Sequence, residues 1–114
     1  MKRNIELIKI IMLNVEAENI GSKIDGYTEQ EVLFHQKLLI DADFLQGKVH
    51  ISLERSRGEV DFVVIQEITW QGYDFLELLK DDKKFEYIKD ISKKMPLEVI
   101  KVGIKLAFDK LKEI

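Results

Sequence analysis

Apolar residues recur at helical spacing in two stretches of the first half of the chain. Residues 4–17 begin with an asparagine, a preferred N-cap, and then place apolar side chains three and four positions apart. Residues 28–42 begin with Thr28, which is followed three positions later by Glu31, the spacing of a capping box. Both stretches are predicted to be helices. The second is expected to bury a stripe formed by Val32, His35, Leu38, Leu39 and Ala42.

The spacing of apolar residues changes from helical to alternating after Leu45. The alternation predicts a half-buried strand with inner side chains at Val49, Ile51 and Leu53. The segment Arg55-Ser-Arg-Gly-Glu has the composition of a hairpin turn, with a glycine available for a positive φ. The other face of the return strand also has apolar residues, so both of its sides could be covered. The return strand itself carries Val60, Phe62, Val64, Gln66 and Ile68.

Three more helices are predicted in the second half of the chain. The first is capped by Thr69, and its core face is expected to carry Trp70, Tyr73, Leu76 and Leu79. The second runs to about Met95 with an apolar stripe at Phe85, Ile88 and Ile91. The third begins at Pro96, a residue type favoured in the first helical position, and extends over residues 96–113.

The order of these elements predicts an α+β fold. A helix followed at once by a hairpin is typical of the second half of a winged helix-turn-helix, in which the hairpin is the wing. We therefore predict a single domain over residues 1–114, with a winged-helix core at 1–69 and a C-terminal helical extension at 70–114. The last helix, residues 96–113, is the candidate contact of a homodimer.

Composition narrows the class of protein. The chain has 114 residues, of which 46% are hydrophobic and 34% charged, as in ordinary globular domains. It contains no cysteine, which excludes disulfides, thiolate metal sites and a cysteine nucleophile. No apolar run approaches the ~20 residues of a membrane helix. The amphipathic start, with Glu6 and Lys9, indicates a helix and not a signal peptide, so we expect a cytoplasmic protein.

The formal net charge of −3 argues against strong binding to duplex DNA, since such proteins are usually basic. Basic and acidic residues number four and four in residues 1–27, four and five in 28–57, and ten and twelve in 58–114. No segment is clearly basic. A nucleic-acid site would therefore have to come from a local arrangement of cations.

Three ordered motifs carry a family resemblance over nearly the whole chain. They are Met-Lys-Arg-Asn-Ile-Glu-Leu-Ile-Lys-Ile-Ile-Met at the start, residues 26–45, and Ile68-Thr-Trp-Gln-Gly-Tyr-Asp-Phe-Leu with the later Lys80-Asp-Asp-Lys-Lys-Phe. The chain resembles a family of short bacterial and prophage proteins of unknown function, with the patterns G-Y-x-x-x-x-I-x-Y-H-x-x-L-L-x-x-A-G-L-I, L-T-W-x-G-H-x-F-L and R-D-D-x-x-W. The resemblance implies a winged-helix fold but no established activity or site residues.

The chain departs from these family patterns at Phe34, where the family has tyrosine, at Asp43, where it has glycine, and at Tyr73, where it has histidine. The last departure removes one of two family histidines, which weakens a metal or catalytic role for such a pair. Asp43 directly follows the helix at 28–42, and aspartate can adopt the left-handed conformation that helix ends often need, although less easily than glycine.

The helix at 28–42 carries the first candidate site for DNA. Its face opposite the buried stripe would enter the major groove, with Gln36 or Lys37 contacting base edges. Alternatives are an ordinary solvated face or a protein-contact face, which the two apolar members would favour. Nearby Glu29, Glu31, Asp41 and Asp43 would repel phosphates unless they point elsewhere. The candidate face consists of Leu33, Gln36, Lys37 and Ile40.

The wing carries the second candidate site. Its basic residues could contact phosphates or the minor groove. The alternative is that these charges protect an exposed hairpin edge from pairing with other strands. The residues concerned are Lys48, His50, Arg55 and Arg57.

No pattern predicts catalysis, a bound metal or a cofactor. His35 lies on an apolar face and is expected to be a core histidine that donates to a backbone carbonyl, and His50 is a single histidine on a strand surface. Asp81 and Asp82 are expected to be caps and surface charge, not an acid–base pair. Trp70, Tyr73 and Phe75 could stack on bases, but their helical spacing favours packing in the core. Phosphate loops, Ser-His-Asp triads and H-E-x-x-H motifs are absent from the sequence.

Two functional hypotheses follow. The first is a small DNA-binding transcriptional regulator of bacterial or phage origin, with the helix at 28–42 in the major groove, Arg55 and Arg57 on the backbone and a dimer contact at 96–113. The second is a winged-helix adaptor that binds a protein partner, which the acidic balance and the apolar Leu33 and Ile40 support. An enzyme is not expected.

Overall fold

The computed structural model of the protein describes residues 2–51 and 59–96. Within these ranges the chain forms four helices and a two-stranded antiparallel sheet, in the order α1 (Ile5–Glu16), α2 (Glu29–Asp41), β1 (Leu45–Ile51), β2 (Val60–Ile68), α3 (Trp70–Lys80) and α4 (Asp82–Ser92). The predicted α+β class is confirmed, and the arrangement is compatible with a winged-helix-like fold. Neither the predicted turn with Arg55 and Arg57 nor the predicted helix after Pro96 lies within the described residues.

The helix starts form as the capping signals predict. The Asn4 side chain accepts the backbone N–H of Glu6 at 3.0 Å and that of Leu7 at 3.2 Å. Thr28 Oγ1 accepts the N–H of Glu31 at 3.1 Å, while Glu31 Oε1 accepts the N–H of Thr28 at 3.2 Å, which completes the capping box. These contacts satisfy N–H groups that the first helical turn leaves without a partner.

The hairpin contains an irregularity at its base. Gln46 pairs with Glu67, but the next residue of β1, Gly47, pairs with Ile65, so Gln66 is an extra residue in β2. Such a bulge shifts the alternation of side chains by one position. As a result Ile65 and Ile68 are both buried, while Gln66 and Glu67 are both exposed.

The expected inner side chains of the hairpin are partly wrong. Phe62 and Val64 were expected on a covered face of β2, and Ile51 on the inner face of β1, but all three are exposed. A second register shift, between His50 and Ile51, breaks the alternation near the far end of the hairpin. In β2 the buried residues are Val60, Ile65 and Ile68, with Val63 half-buried, while Phe62 and Val64 face solvent.

One hydrophobic cluster joins all six elements. It includes Leu7 and Met12 of α1, Leu39 of α2 and Ile88 of α4. At its centre the rings of Phe44 and Phe75 are stacked, with centroids 4.2 Å apart and an interplanar angle of 17°. This stack fixes α3 against the turn between α2 and β1. Of the helices in the described ranges, none is long and apolar enough to cross a membrane.

Candidate functional site

The proposed base-reading face of α2 is closed in this structure. Leu33 and Gln36 are only 3% and 2% exposed, so the expectation that they lie on an open face is wrong. The Gln36 amide points into the loop between α1 and α2, where it donates to the carbonyl of Gly21 at 3.4 Å. Gln30, one helical turn before Leu33, donates to the carbonyl of Val60 in β2 at 2.9 Å. The loop and the hairpin therefore cover this side of the helix.

The remaining members of the predicted face are also engaged. Ile40 packs where Gly47 leaves room, since a Cβ added to Gly47 would lie 3.1 Å from Ile40 Cδ1. Lys37 Nζ lies 2.6 Å from the carboxylate of Asp41, one turn later on the same helix. Pairs of this spacing on an exposed helix surface stabilise the helix by only about 0.3–0.5 kcal/mol. Of the four residues of the predicted face, two are therefore buried, one packs beside Gly47 and one pairs with Asp41.

On the wing, two predicted site residues lie together. Lys48 and His50 are both exposed and pair in register with Val64 and Phe62, so they share the outer face of the hairpin. The imidazole of His50 stacks on Phe62 with centroids 4.8 Å apart, and its Nδ1 lies 3.3 Å from the carboxylate of Asp61. The other two predicted wing residues, Arg55 and Arg57, lie outside the described ranges.

His35 is a core histidine, as predicted. Its Nδ1 lies 2.6 Å from the carbonyl of Glu31, to which it donates, and its Nε2 accepts the backbone N–H of Asn4 at 2.8 Å. Burial lowers the pKa of His35, so the neutral form with a proton on Nδ1 is favoured. Nε2 joins α2 to the start of α1 and Nδ1 bonds within α2, which leaves neither ring nitrogen for a metal or substrate.

A surface that the sequence interpretation missed lies at the start of α3. Trp70 is 89% exposed and Tyr73 is 52% exposed, so the expectation that they pack in the core is wrong. The physical reason is Gly72, which faces inward so closely that an added Cβ would lie 1.9 Å from the carbonyl oxygen of Phe44. The buried residues of α3 are Gly72, Phe75, Leu76, Leu78 and Leu79. Trp70 and Tyr73 consequently point away from the core.

Hydrogen bonds hold this surface in place. The Thr69 hydroxyl donates to the carbonyl of Asp43 at 2.6 Å and accepts the N–H of Gly72 at 2.9 Å. The Thr69 N–H donates to the carbonyl of Phe44 at 3.2 Å. Asp43 has a φ of 64°, as its position after α2 predicts, which aims its carbonyl at Thr69. The first turn of α3 is therefore tied rigidly to the turn between α2 and β1.

A surface depression of about 430 Å³ lies beside the start of α3, and we call it the aromatic cleft. Its lining includes Asp43, Gln46, Glu67, Trp70 and Tyr73. The two carboxylates of this lining come from different elements. Asp43 lies in the left-handed turn after α2, and Glu67 lies beside the bulge in β2. None of the described residues that line the cleft is basic. The cleft is thus apolar on its aromatic side and negative on its rim.

A second depression, of about 500 Å³, lies between the start of α1 and the end of α4. Four cations line it, Lys2, Arg3, Lys89 and Lys93, and two of them make the contacts described next. Arg3 donates to the carbonyls of Ser92 and Met95. Lys89 Nζ lies 2.7 Å from the carboxylate of Glu6. This hydrogen bond lowers the pKa of Glu6 and raises that of Lys89. These contacts join the two helices, which is a structural role.

The adjacent Asp81 and Asp82 lie at the junction of α3 and α4. Asp81 accepts the N–H of Lys84 at 3.0 Å at the start of α4, so the predicted cap is confirmed. Within residues 2–51 and 59–96, histidine, aspartate and glutamate side chains form no group of three or more that could hold a metal ion.

Comparison with known proteins gives a family without an assigned activity. Residues 2–98 match the family described as "Hypothetical protein (DUF2513)", and the chain belongs to this family. It is also similar to an "Uncharacterized protein" of Haemophilus influenzae (strain ATCC 51907 / DSM 11121 / KW20 / Rd), with 30% identity over 111 residues that cover 92% of this chain and 90% of the relative. No solved structure matches the chain. The predicted membership in a family of unknown function is confirmed.

Proposed function

We propose that this chain is a non-catalytic protein-binding module of winged-helix type and that the aromatic cleft is its contact surface. The observation that carries the proposal is the 89% exposure of Trp70 on a rigidly held helix start. Tryptophan and tyrosine are enriched among the residues that dominate binding energy at protein interfaces. Trp70 and the half-exposed Tyr73 line one depression with a polar rim, and an apolar patch of this kind is typical of a protein interaction site.

The winged-helix assignment is supported by the succession of α2 and the β1–β2 hairpin. In a DNA-binding winged helix, the helix before the wing needs a free face for the major groove. Here α1 covers one side of α2, and the hairpin and the loop between α1 and α2 cover another. The net charge of −3 also favours a protein partner over a polyanion.

Site-specific photocrosslinking in cells that carry the gene tests the proposal. A photoreactive residue at position 73 should capture a partner that the same residue at position 87 does not. Tyr87 is the matched control because it is more exposed than Tyr73, 67% against 52%, but lies on α4. Trp70→Ala should then weaken the affinity of the purified partner by at least about tenfold, and Tyr87→Ala should not. Equal capture at both positions, or unchanged affinity of Trp70→Ala, would contradict the proposal.

A second candidate is the DNA-binding regulator, and one observation favours it. Lys48 and His50 share the outer face of the hairpin, whose connecting segment contains Arg55 and Arg57. Fluorescence anisotropy of a labelled mixed-sequence duplex tests this function directly. If the wing contacts DNA phosphates, the double variant Arg55→Ala/Arg57→Ala should reduce the magnitude of the slope of log affinity against log salt concentration by about two. Absence of binding at low salt would exclude general duplex binding.

Either function is compatible with a homodimer through residues 96–113, which remains a prediction from the sequence. Sedimentation of the full chain and of a chain ending at Pro96 tests it. A dimer that becomes a monomer on truncation would support the contact, and two identical sedimentation profiles would contradict it.

A further inference from the structure

We propose that the aromatic cleft recognises an arginine-bearing segment of the partner protein, whose guanidinium group stacks on Trp70 and pairs with the carboxylate of Glu67. The inference rests on the proposed protein-binding function and adds the chemistry of the partner. It follows from the combination of an open indole face with a negative rim and no basic lining residue.

The aromatic part of the argument concerns ring faces that are open to a cation. A cation is attracted to the face of an aromatic ring, and most strongly to that of tryptophan. The protein already contains one such contact, in which Lys9 Nζ lies 4.5 Å from the ring centroid of Phe85. In the described part of the chain no cation lies over Trp70, although its ring is far more exposed. Its face is therefore available to a cation from another molecule.

The electrostatic part concerns the rim. Asp43 and Glu67 line the same cleft from two different elements. The ion pairs found within residues 2–51 and 59–96 do not include Glu67. The bulge at Gln66 turns Glu67 toward solvent while Ile68 stays in the core, so the fold does not need this charge for packing. A cationic partner group would complement it.

Arginine fits these features better than lysine or a nucleotide does. Its planar guanidinium can stack on an indole and at the same time present a fork of N–H donors to a carboxylate. Lysine offers a compact charge without a stacking surface. A nucleotide base could stack on Trp70, but its phosphate would then approach the carboxylates of Asp43 and Glu67 and be repelled.

Trp70 is the only tryptophan of the chain, so its indole N–H signal in a ¹H–¹⁵N spectrum reports on this cleft alone. The full chain is titrated with the acetylated and amidated hexapeptide Gly-Ser-Arg-Ser-Arg-Gly. Matched hexapeptides carry lysine or glutamate in place of arginine. We expect saturable shifts of the indole signal with the arginine peptide, weaker shifts with the lysine peptide and none with the glutamate peptide.

The matched variants are Glu67→Gln and Glu86→Gln, the latter on an exposed position of α4. Glu67→Gln should weaken binding of the arginine peptide by about fivefold at low salt, and Glu86→Gln should leave it unchanged. If the peptide leaves the indole signal unmoved while the crosslinked partner still depends on Trp70, the arginine inference is overturned and the protein-binding proposal stands. If the partner does not depend on Trp70 either, both fail. Equal affinity for both charge variants also overturns the inference.

Discussion

Replacing Gly72 by alanine tests the packing that exposes Trp70. A Cβ at this position would lie 1.9 Å from the carbonyl oxygen of Phe44 and 2.7 Å from Ile68 Cγ2, whereas real Cβ atoms essentially never approach within 3.0 Å. Relief of the first contact alone requires a separation of about 1.1 Å, from 1.9 to 3.0 Å. The obstacle is backbone that Thr69 also holds, so it cannot rotate away as a side chain would.

The expected cost of Gly72→Ala can be bounded from known effects. Overpacking of a tight contact costs up to about 3 kcal/mol, and alanine recovers about 1 kcal/mol of helix propensity relative to glycine. The net loss of unfolding free energy is then about 2 kcal/mol, which lowers the melting temperature of a chain of this size by about 8 °C. The start of α3 should also shift, which would change the emission of Trp70.

The assay is thermal and urea unfolding followed by circular dichroism, with Gly21→Ala as the matched control. A Cβ on Gly21 would meet only Asn19 Oδ1 at 3.9 Å, an ordinary contact, so this variant should stay within about 0.5 kcal/mol of the parent chain. If Gly72→Ala is as stable as Gly21→Ala, α3 does not pack on Phe44 as described. The explanation for the exposure of Trp70 would then be refuted.

Three further results are expected. Because burial lowers the pKa of His35, the unfolded chain binds more protons than the folded one, so the free energy of unfolding should fall as pH drops below ~6.5. Urea unfolding at several pH values should show this fall, and His35→Gln should make it smaller. Thr69→Ala should lose about 1–2 kcal/mol of unfolding free energy in urea titrations, while Thr69→Ser should retain most of it. Asp43→Asn removes a negative charge from the aromatic cleft, while asparagine tolerates the left-handed conformation, so this variant should weaken binding of the arginine peptide in the spectroscopic titration. The first argument would be contradicted if stability did not change with pH, and the second if Thr69→Ala unfolded with the same free energy as the parent chain. The third would be contradicted if Asp43→Asn bound the arginine peptide as tightly as the parent chain does.

Signals that act within a few residues could be predicted from the sequence. The caps at Asn4, Thr28 and Thr69 form as expected, because each needs only its own first turn. The left-handed Asp43 is likewise a local consequence of where α2 ends. The core role of His35 followed from its position on the apolar stripe, although its contact with Asn4 could not have been foreseen.

Features that depend on what folds against an element could not be predicted. The side of α2 that carries Leu33 and Gln36 has the composition of an open face, and only the position of the hairpin and the loop closes it. The bulge at Gln66 adds one residue to β2 and so moves Glu67 to the surface without leaving a sequence signal. In α3, Gly72 has no side chain to mark the inner stripe, and Trp70 was therefore assigned to the core.

One predicted feature and two unpredicted ones meet at one place. The left-handed turn at Asp43, the bulge before Glu67 and the close approach at Gly72 all border the aromatic cleft. A bulge disrupts the hydrogen bonding between strands, and a non-glycine residue at positive φ strains the backbone. Both features are over-represented at functional sites. Glu67 and Trp70 are exposed, so the core would pack equally well with an apolar residue at position 67 or with a smaller residue at position 70. Since the fold itself does not require these side chains, their convergence is better explained by a bound partner than by stability.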